Sequence, residues 1–102
     1  MPAMHFHVRW PDGESEVCYS PSTVISQHLA AGETYSLAEF VRRCTAALNE
    51  ASLRVEQKYG FACSSANDQL ARIQNRARHF QHDEQAQVSV AAIEPVGAGL
   101  PL

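Results

Sequence analysis

The sequence predicts an α+β domain in which a small antiparallel three-stranded sheet carries an antiparallel pair of long helices on one face. Apolar residues alternate with polar ones near the N-terminus, two long segments repeat apolar residues at helical spacing, and a short alternating segment follows them. A chain of 102 residues fits one domain. We expect the order strand, strand, short helix, long helix, long helix, strand in a domain over residues 1–94, and a flexible C-terminal tail over residues 95–102.

The first two strands are predicted to form a hairpin. Residues 4–10 alternate between apolar and polar side chains, which is the period of a half-buried strand. Pro11-Asp12-Gly13 supplies the turn, because proline presets φ and glycine accepts a positive φ. The second strand, over residues 14–19, should return antiparallel to the first.

Two registers are open for this hairpin. A type I turn with a bulge at Gly13 pairs Trp10 with Glu14 and places Glu16 on the same face as the aromatic residues. Pairing Trp10 with Gly13 instead places Val17 on the core face. Turn chemistry favours the first register and the hydrophobic pattern favours the second, because a slip of one residue exchanges the two faces. We prefer the second register.

Capping signals divide the rest of the chain. Ser20-Pro21 predicts the start of a short helix that runs through Leu29. Ser36-Leu37-Ala38-Glu39 is a capping box and predicts the start of a long helix that ends at Gly60. A second long helix is predicted from Ser64 or Ser65 to about residue 82, and a third strand over residues 87–93.

Composition excludes several classes of protein. The net charge of -3 lacks the basic excess of a dedicated phosphate-backbone binder, so we expect no nucleic-acid partner. We find no secretory leader or membrane-spanning apolar run, and three cysteines without a CxxC pair favour a reduced cytoplasm. Neither a phosphate-binding loop nor a GxSxG or HExxH motif is present, so we expect no cofactor and no enzymatic activity.

The cysteines and histidines are candidate reactive or metal-binding groups. Cys63 precedes the second long helix, whose positive end would lower the thiol pKa, although a thiol that merely fills the helix connection explains the position as well. His5 and His7 share a strand face that Cys18 or Glu16 could approach, which would be a transition-metal set. We interpret these histidines instead as solvated strand residues and assign no metal site. Three other residues have simpler interpretations: Cys44 as a core residue, and His79 with His82 as a pair near a helix end.

A basic stripe is predicted on the second long helix. Arg72, Arg76 and His79 recur at i, i+4 and i+7 and so share one face. Such a stripe can hold a phosphate, an RNA or an acidic protein surface. It is also typical of a solvated helix face, here partly neutralised by Asp68.

Four strings give the chain a resemblance to a known family. They are MHFHVRWPDG (residues 4–13), CYSPS (residues 18–22), KYGFACS (residues 58–64) and DQLARI (residues 68–73). Together they resemble a family of small bacterial nitrogen starvation response proteins over roughly residues 1–93. The resemblance implies a gene cluster that includes a nitrilase and serves the use of nitriles or cyanide as nitrogen source. It implies no activity and no catalytic residues for the small protein itself.

The resemblance directs attention to the aromatic and cysteine residues within its strings. We treat these as a candidate ligand or partner surface: Trp10, Cys18, Tyr19, Tyr59, Phe61 and Cys63. We expect a non-enzymatic accessory protein, a homo-oligomer that binds a protein encoded in the nitrilase cluster. The alternative is a small cysteine-dependent enzyme, or a ligand- or metal-binding protein, that acts on a nitrile- or cyanide-derived substrate.

Overall fold

The computed structural model describes residues 3–60 and 64–96. They contain four strands and three helices, in the order β1 (Met4–Arg9), β2 (Ser15–Ser20), α1 (Ile25–His28), β3 (Thr34–Ser36), α2 (Leu37–Tyr59), α3 (Ser64–Arg78) and β4 (Gln87–Pro95). The strands form one antiparallel sheet in the order β2-β1-β4-β3. The predicted α+β class is confirmed.

The prediction of a three-stranded sheet is wrong, because β3 adds a fourth strand. Thr34, Tyr35 and Ser36 pair with Ser89, Val88 and Gln87 of β4 in that order. A strand of three residues is too short to show an alternating pattern. The same residues also carry the start signal of α2, which follows β3 with no intervening loop.

The hairpin adopts the bulged register, so our preferred register is wrong. The Trp10 N–H donates to the Glu14 carbonyl over 2.8 Å, and Gly13 has a φ of 89°. Phe6 therefore lies opposite Cys18, and Val17 is 54% exposed. Turn chemistry decides the register, and the hydrogen bond from the Trp10 indole to Glu16 makes a carboxylate acceptable on the inner face.

The predicted limits of the first long helix are confirmed. The Ser36 side chain accepts the Glu39 N–H, and Gly60 ends α2 with a φ of 82°. The Glu39 carboxylate accepts hydrogen bonds from Arg42 and Arg43. These two guanidinium groups hold the pKa of Glu39 below its ordinary value, with the Arg42 hydrogen bond as the largest cause.

The other two helices differ from their predicted limits. α1 begins at Ile25 rather than next to Ser20, which ends β2. The Ser20 hydroxyl instead donates to the Ser22 carbonyl over 2.9 Å and so shapes a turn before the helix. α3 begins at Ser64 as predicted and ends at Arg78, and turns follow to residue 82.

The core lies between the helices and one face of the sheet. Trp10 is its largest side chain, and its ring meets Phe40 edge-on at 5.6 Å and stacks with Phe80 at 6.2 Å. Within the described residues no helix covers the opposite face, which carries the side chains of His5, His7 and Tyr19. The core cluster is Met4, Phe6, Val8, Trp10, Cys18, Ile25, Leu29, Phe40, Cys44, Ala47, Leu48, Ile73, Ala77, Val88 and Val90.

The last strand reaches into the segment that was predicted to be the C-terminal tail. β4 extends through Pro95, and the Val96 N–H donates to the Ala3 carbonyl over 2.9 Å. Residues 97–102 of the predicted tail lie outside the described residues, so the domain limits stay a prediction. None of the helices in the described part of the chain is long and apolar enough to cross a membrane.

Candidate functional site

A groove lies between β2 and α3, and of its lining residues only Arg72 belongs to one of the four strings that carry the family resemblance, DQLARI. We call it the β2–α3 groove. It has a volume of about 550 Å³ and is lined by Glu16, Val17, Arg72, Asn75, Arg76 and His79. All three residues of the predicted basic stripe therefore line one concave surface.

Arg76 joins α3 to the hairpin turn at one end of the groove. Its Nη2 atom lies 2.9 Å from Asp12 Oδ2 and 2.6 Å from Glu14 Oε2. Its guanidinium also lies 5.9 Å from the Trp10 ring centroid and 5.7 Å from that of Phe80. Two carboxylates and two rings hold this cation, so Arg76 positions the turn rather than offering a free charge.

Trp10 fixes the carboxylate of Glu16 beneath the groove. The Trp10 Nε1–H donates to Glu16 Oε1 over 3.0 Å. The other carboxylate oxygen of Glu16 lies 4.0 Å from the thiol of Cys18. Trp10 is only 2% exposed, so this hydrogen bond gives the buried indole N–H the partner that it needs.

Gln69 covers the end of the sheet edge nearest the start of α3. Its Oε1 atom accepts the Tyr19 N–H over 3.0 Å, and its side chain is 6% exposed. The side-chain amide thus replaces a carbonyl group of a neighbouring strand. Its Nε2 atom is buried with no hydrogen-bond partner among the described residues.

Arg72 is the unpaired cation of the groove. It lies one turn before Arg76 on α3 and is exposed, and it forms no ion pair among the described residues. Its positive charge lies close enough to Cys18 to oppose the rise in the pKa of that thiol. His79 follows the end of α3 and is also exposed, so Arg72 and His79 both face solvent on the helix side of the groove.

The two described cysteines are buried thiols. Burial raises the pKa of Cys18 well above its ordinary value, and the neighbouring Glu16 carboxylate raises it further. Burial is also the main cause of the raised pKa of Cys44, to which Cys18 adds. Because thiolate is the nucleophilic form, this environment does not favour either one for attack on a nitrile. Cys63 lies outside the described residues, so its reactivity stays a prediction.

The structure separates the histidines of β1 from their proposed metal-binding partners. Cys18 and Glu16 face the helices, whereas His5 and His7 lie on the open face of the sheet. His7 Nε2 lies 3.0 Å from Glu94 Oε1, and the His5 ring lies edge-on to Tyr19 at 6.2 Å. No cluster of three metal-ligating side chains occurs among residues 3–60 and 64–96.

The predicted aromatic and cysteine surface does not form one patch in the described part of the chain. Trp10 and Cys18 are buried, whereas Tyr19 lies on the open sheet face. Tyr59 ends α2 with 58% of its side chain exposed, and the Lys58 ammonium lies 5.5 Å from its ring centroid. The other two members of the surface, Phe61 and Cys63, lie outside the described residues.

A larger cavity, of about 870 Å³, lies between the start of α2 and the end of α3. Its wall includes apolar Leu37 and Val41, and charged Arg42 and Glu84. Arg42 is already paired with Glu39. Since this cavity contains only Arg78 from the basic region of α3 and none of the predicted site residues, we take the β2–α3 groove as the candidate site.

The residues that line the groove lie within a segment of the chain that matches a known protein family. Residues 5–93 match the family of the nitrogen starvation-induced protein NitG. The chain belongs to this family. The prediction of a nitrogen starvation response family is thereby confirmed. No curated protein and no solved structure matches the chain.

Gln69 was not predicted as a site residue, and Glu16 was predicted only as a possible metal ligand. The position of Gln69 could have indicated its role, because Gln69 is the polar residue on the buried helical face of Ala66, Ile73 and Ala77. Glu16 was signalled only by the bulged hairpin register. A polar residue at a position that faces the core is therefore the sign that could have found both.

Proposed function

We propose that this family member is a non-enzymatic accessory protein that works in the cytoplasm during nitrogen starvation by binding a protein partner through the β2–α3 groove. One observation carries the proposal. Arg72, an exposed cation without an ion pair among the described residues, lies on a surface that Arg76 and Trp10 link to the core. An unpaired cation on a surface that is held in place suits recognition of an acidic partner, because complementary charges favour the correct pairing.

The partner we propose is an enzyme of nitrogen assimilation encoded with a nitrilase, as the sequence resemblance implies. A protein of this size supports such an enzyme by docking on it rather than by holding an active site of its own. The burial of Cys18 and Cys44, with raised pKa values, agrees with this role. We also propose a homodimer, which leaves the groove free for the partner.

Binding between the purified full chain and the purified nitrilase of its cluster tests the proposal. We expect a saturable complex by calorimetry, weakened about tenfold or more by Arg72→Glu, since charge reversal at a complementary site costs affinity. Arg54→Glu is the matched control, because Arg54 is an exposed arginine of α2 with no ion pair among the described residues. If neither the nitrilase nor the other proteins of the cluster bind, the proposal is wrong.

A further inference from the structure

We infer that the edge of β2 at residues 15–17 accepts an extended acidic segment of the partner protein as an additional strand, with the carboxylates of that segment against Arg72 and His79. This inference rests on the function proposed above. It adds the mode of binding, which is strand addition, and the chemistry of the partner, which is an acidic extended peptide.

The hydrogen-bonding pattern of the hairpin leaves this edge free. Because Trp10 bonds to the Glu14 backbone, the alternate residues Glu16 and Cys18 are those that bond to β1. Ser15 and Val17 direct their backbone groups away from β1, and β2 is the outermost strand. No hydrogen bond to the outward backbone groups of these two residues occurs in the described part of the chain.

Tyr19 is the next residue of β2 whose backbone points away from β1, and its N–H already has a partner. Its outward N–H is bonded by the Gln69 side chain, which acts as a one-residue substitute for a strand. The free edge therefore runs from the hairpin turn to Val17 and ends where α3 covers it. An unpaired edge of this kind is a template for another extended segment.

The charges beside the free edge select the chemistry of that segment. Glu16 and Val17 form the strand side of the groove, and Arg72 and His79 lie on its helix side. Glu16 is already bonded to Trp10, and Arg76 is already paired with two carboxylates. Arg72 is the groove arginine without an ion pair among the described residues, so the side chain of an added strand that faces Arg72 should be a carboxylate.

A second copy of this chain fits the edge poorly. Pairing β2 with the β2 of a second copy about a two-fold axis would place the two α3 helices side by side and bring the Arg72 guanidinium groups of the two copies toward each other. Like charges brought together in this way oppose association. Partner binding at this edge is therefore favoured over a homodimer through it.

Titration of the ¹⁵N-labelled full chain with two blocked peptides tests the inference. One peptide alternates threonine with glutamate, and its matched control alternates threonine with lysine. We expect the acidic peptide to shift the amide resonances of Ser15 and Val17 and to slow exchange of the Val17 amide by about tenfold or more, as a new strand would. The lysine peptide should do neither.

Three variants separate the contributions to binding. Arg72→Glu should weaken binding of the acidic peptide about tenfold or more, and Arg54→Glu should leave it unchanged. Val17→Pro removes the outward N–H donor and should also abolish binding, because proline is tolerated at a sheet edge but cannot donate there. Arg72→Glu keeps the inference testable if Val17→Pro fails to fold.

Several results would overturn the inference. Equal binding of the two peptides would do so, as would shifts confined to the open sheet face, or tighter binding of a uridine oligonucleotide to the groove. Dimerisation that Arg72→Glu changes in sedimentation would assign the edge to a second copy.

If the nitrilase binds and Arg72→Glu has no effect, the accessory role stands and strand addition is wrong. If the acidic peptide binds as expected but no protein of the cluster does, strand addition at the β2 edge stands and the proposed partner is wrong.

Discussion

The two edges of the sheet are protected in different ways. β3, at one edge, has three residues and passes directly into α2, so that little backbone is left to pair with another chain. β2, at the other edge, has six residues, of which only Tyr19 has its outward N–H covered by a side chain. The β3 edge ends where α2 begins, whereas the outward backbone groups of Ser15 and Val17 in β2 stay available for binding.

The difference between the two edges indicates which of them can bind another chain. At the β3 edge the side chains of Thr34 and Ser89 bond to each other at 3.1 Å. At the β2 edge an unpaired arginine lies beside unpaired backbone, and Arg76 and Trp10 hold the helix that carries it. We therefore expect substitutions near β2 to alter stability and binding more than substitutions near β3.

The largest expected effect comes from loss of the indole beneath the β2 edge. Trp10→Ala removes a side chain packed against Phe40 and Phe80 and leaves the Glu16 carboxylate without its donor. We expect the free energy of unfolding to fall by about 3–5 kcal/mol in a urea titration. Val17→Ala on the same hairpin should change it by less than about 0.5 kcal/mol, because Val17 is exposed. A loss below about 2 kcal/mol for Trp10→Ala would show that the indole does not anchor this edge.

Alkaline pH should test how completely the inner face of β2 is sealed. Burial raises the pKa of Cys18 and Cys44 in the folded protein above their ordinary value of 9.0, so their thiols stay protonated when those of the unfolded chain ionise. The stability that they contribute is fully present below pH 9.0 and falls as the pH rises above it, by up to about 1.4 kcal/mol per pH unit for each thiol.

The measurement compares unfolding in urea at pH 8 and pH 10. The double variant Cys18→Ala/Cys44→Ala, which retains Cys63, should lose less stability than the unsubstituted chain between these two values. Equal losses in the two proteins would mean that solvent reaches these thiols in the folded state.

Gln69→Leu should make the covered part of the β2 edge resemble the open part. It removes the acceptor of the Tyr19 N–H, so we expect that amide to exchange about tenfold faster, at a rate close to that of Val17. The cost in stability should be about 1 kcal/mol or less, because the substitution also removes an unpaired buried donor. Gln74→Leu, at an exposed position of the same helix, is the control for NMR hydrogen exchange. Unchanged protection of Tyr19 would exclude this role for Gln69.

The smallest effect is expected at the other edge. Thr34→Ala removes the exposed hydrogen bond between Thr34 and Ser89. The free energy of unfolding should change by less than about 0.5 kcal/mol in the same urea assay, because surface positions contribute little. A loss as large as that for Trp10→Ala would mean that β3 is held by more than its pairing with β4.

The elements that the sequence predicted well are those specified by neighbouring residues. The Ser36 cap, the Gly60 end of α2 and the alternation of β1 each depend on contacts within a few positions along the chain. The stripe of Arg72, Arg76 and His79 was likewise predictable as a helix face. That Arg76 is neutralised was not, because its carboxylate partners in the hairpin turn are 64 and 62 residues away.

By itself the sequence determined the α+β class, the limits of α2 and the residues that share each helix face, since these follow from local periodicity and capping. Only the tertiary structure decided the hairpin register, the fourth strand and the partly open β2 edge. Glu16 can face the core because the Trp10 indole bonds to it, and Tyr19 is covered because Gln69 reaches it from a position 50 residues along the chain. Such long-range pairings depend on where α3 packs, which no local pattern records.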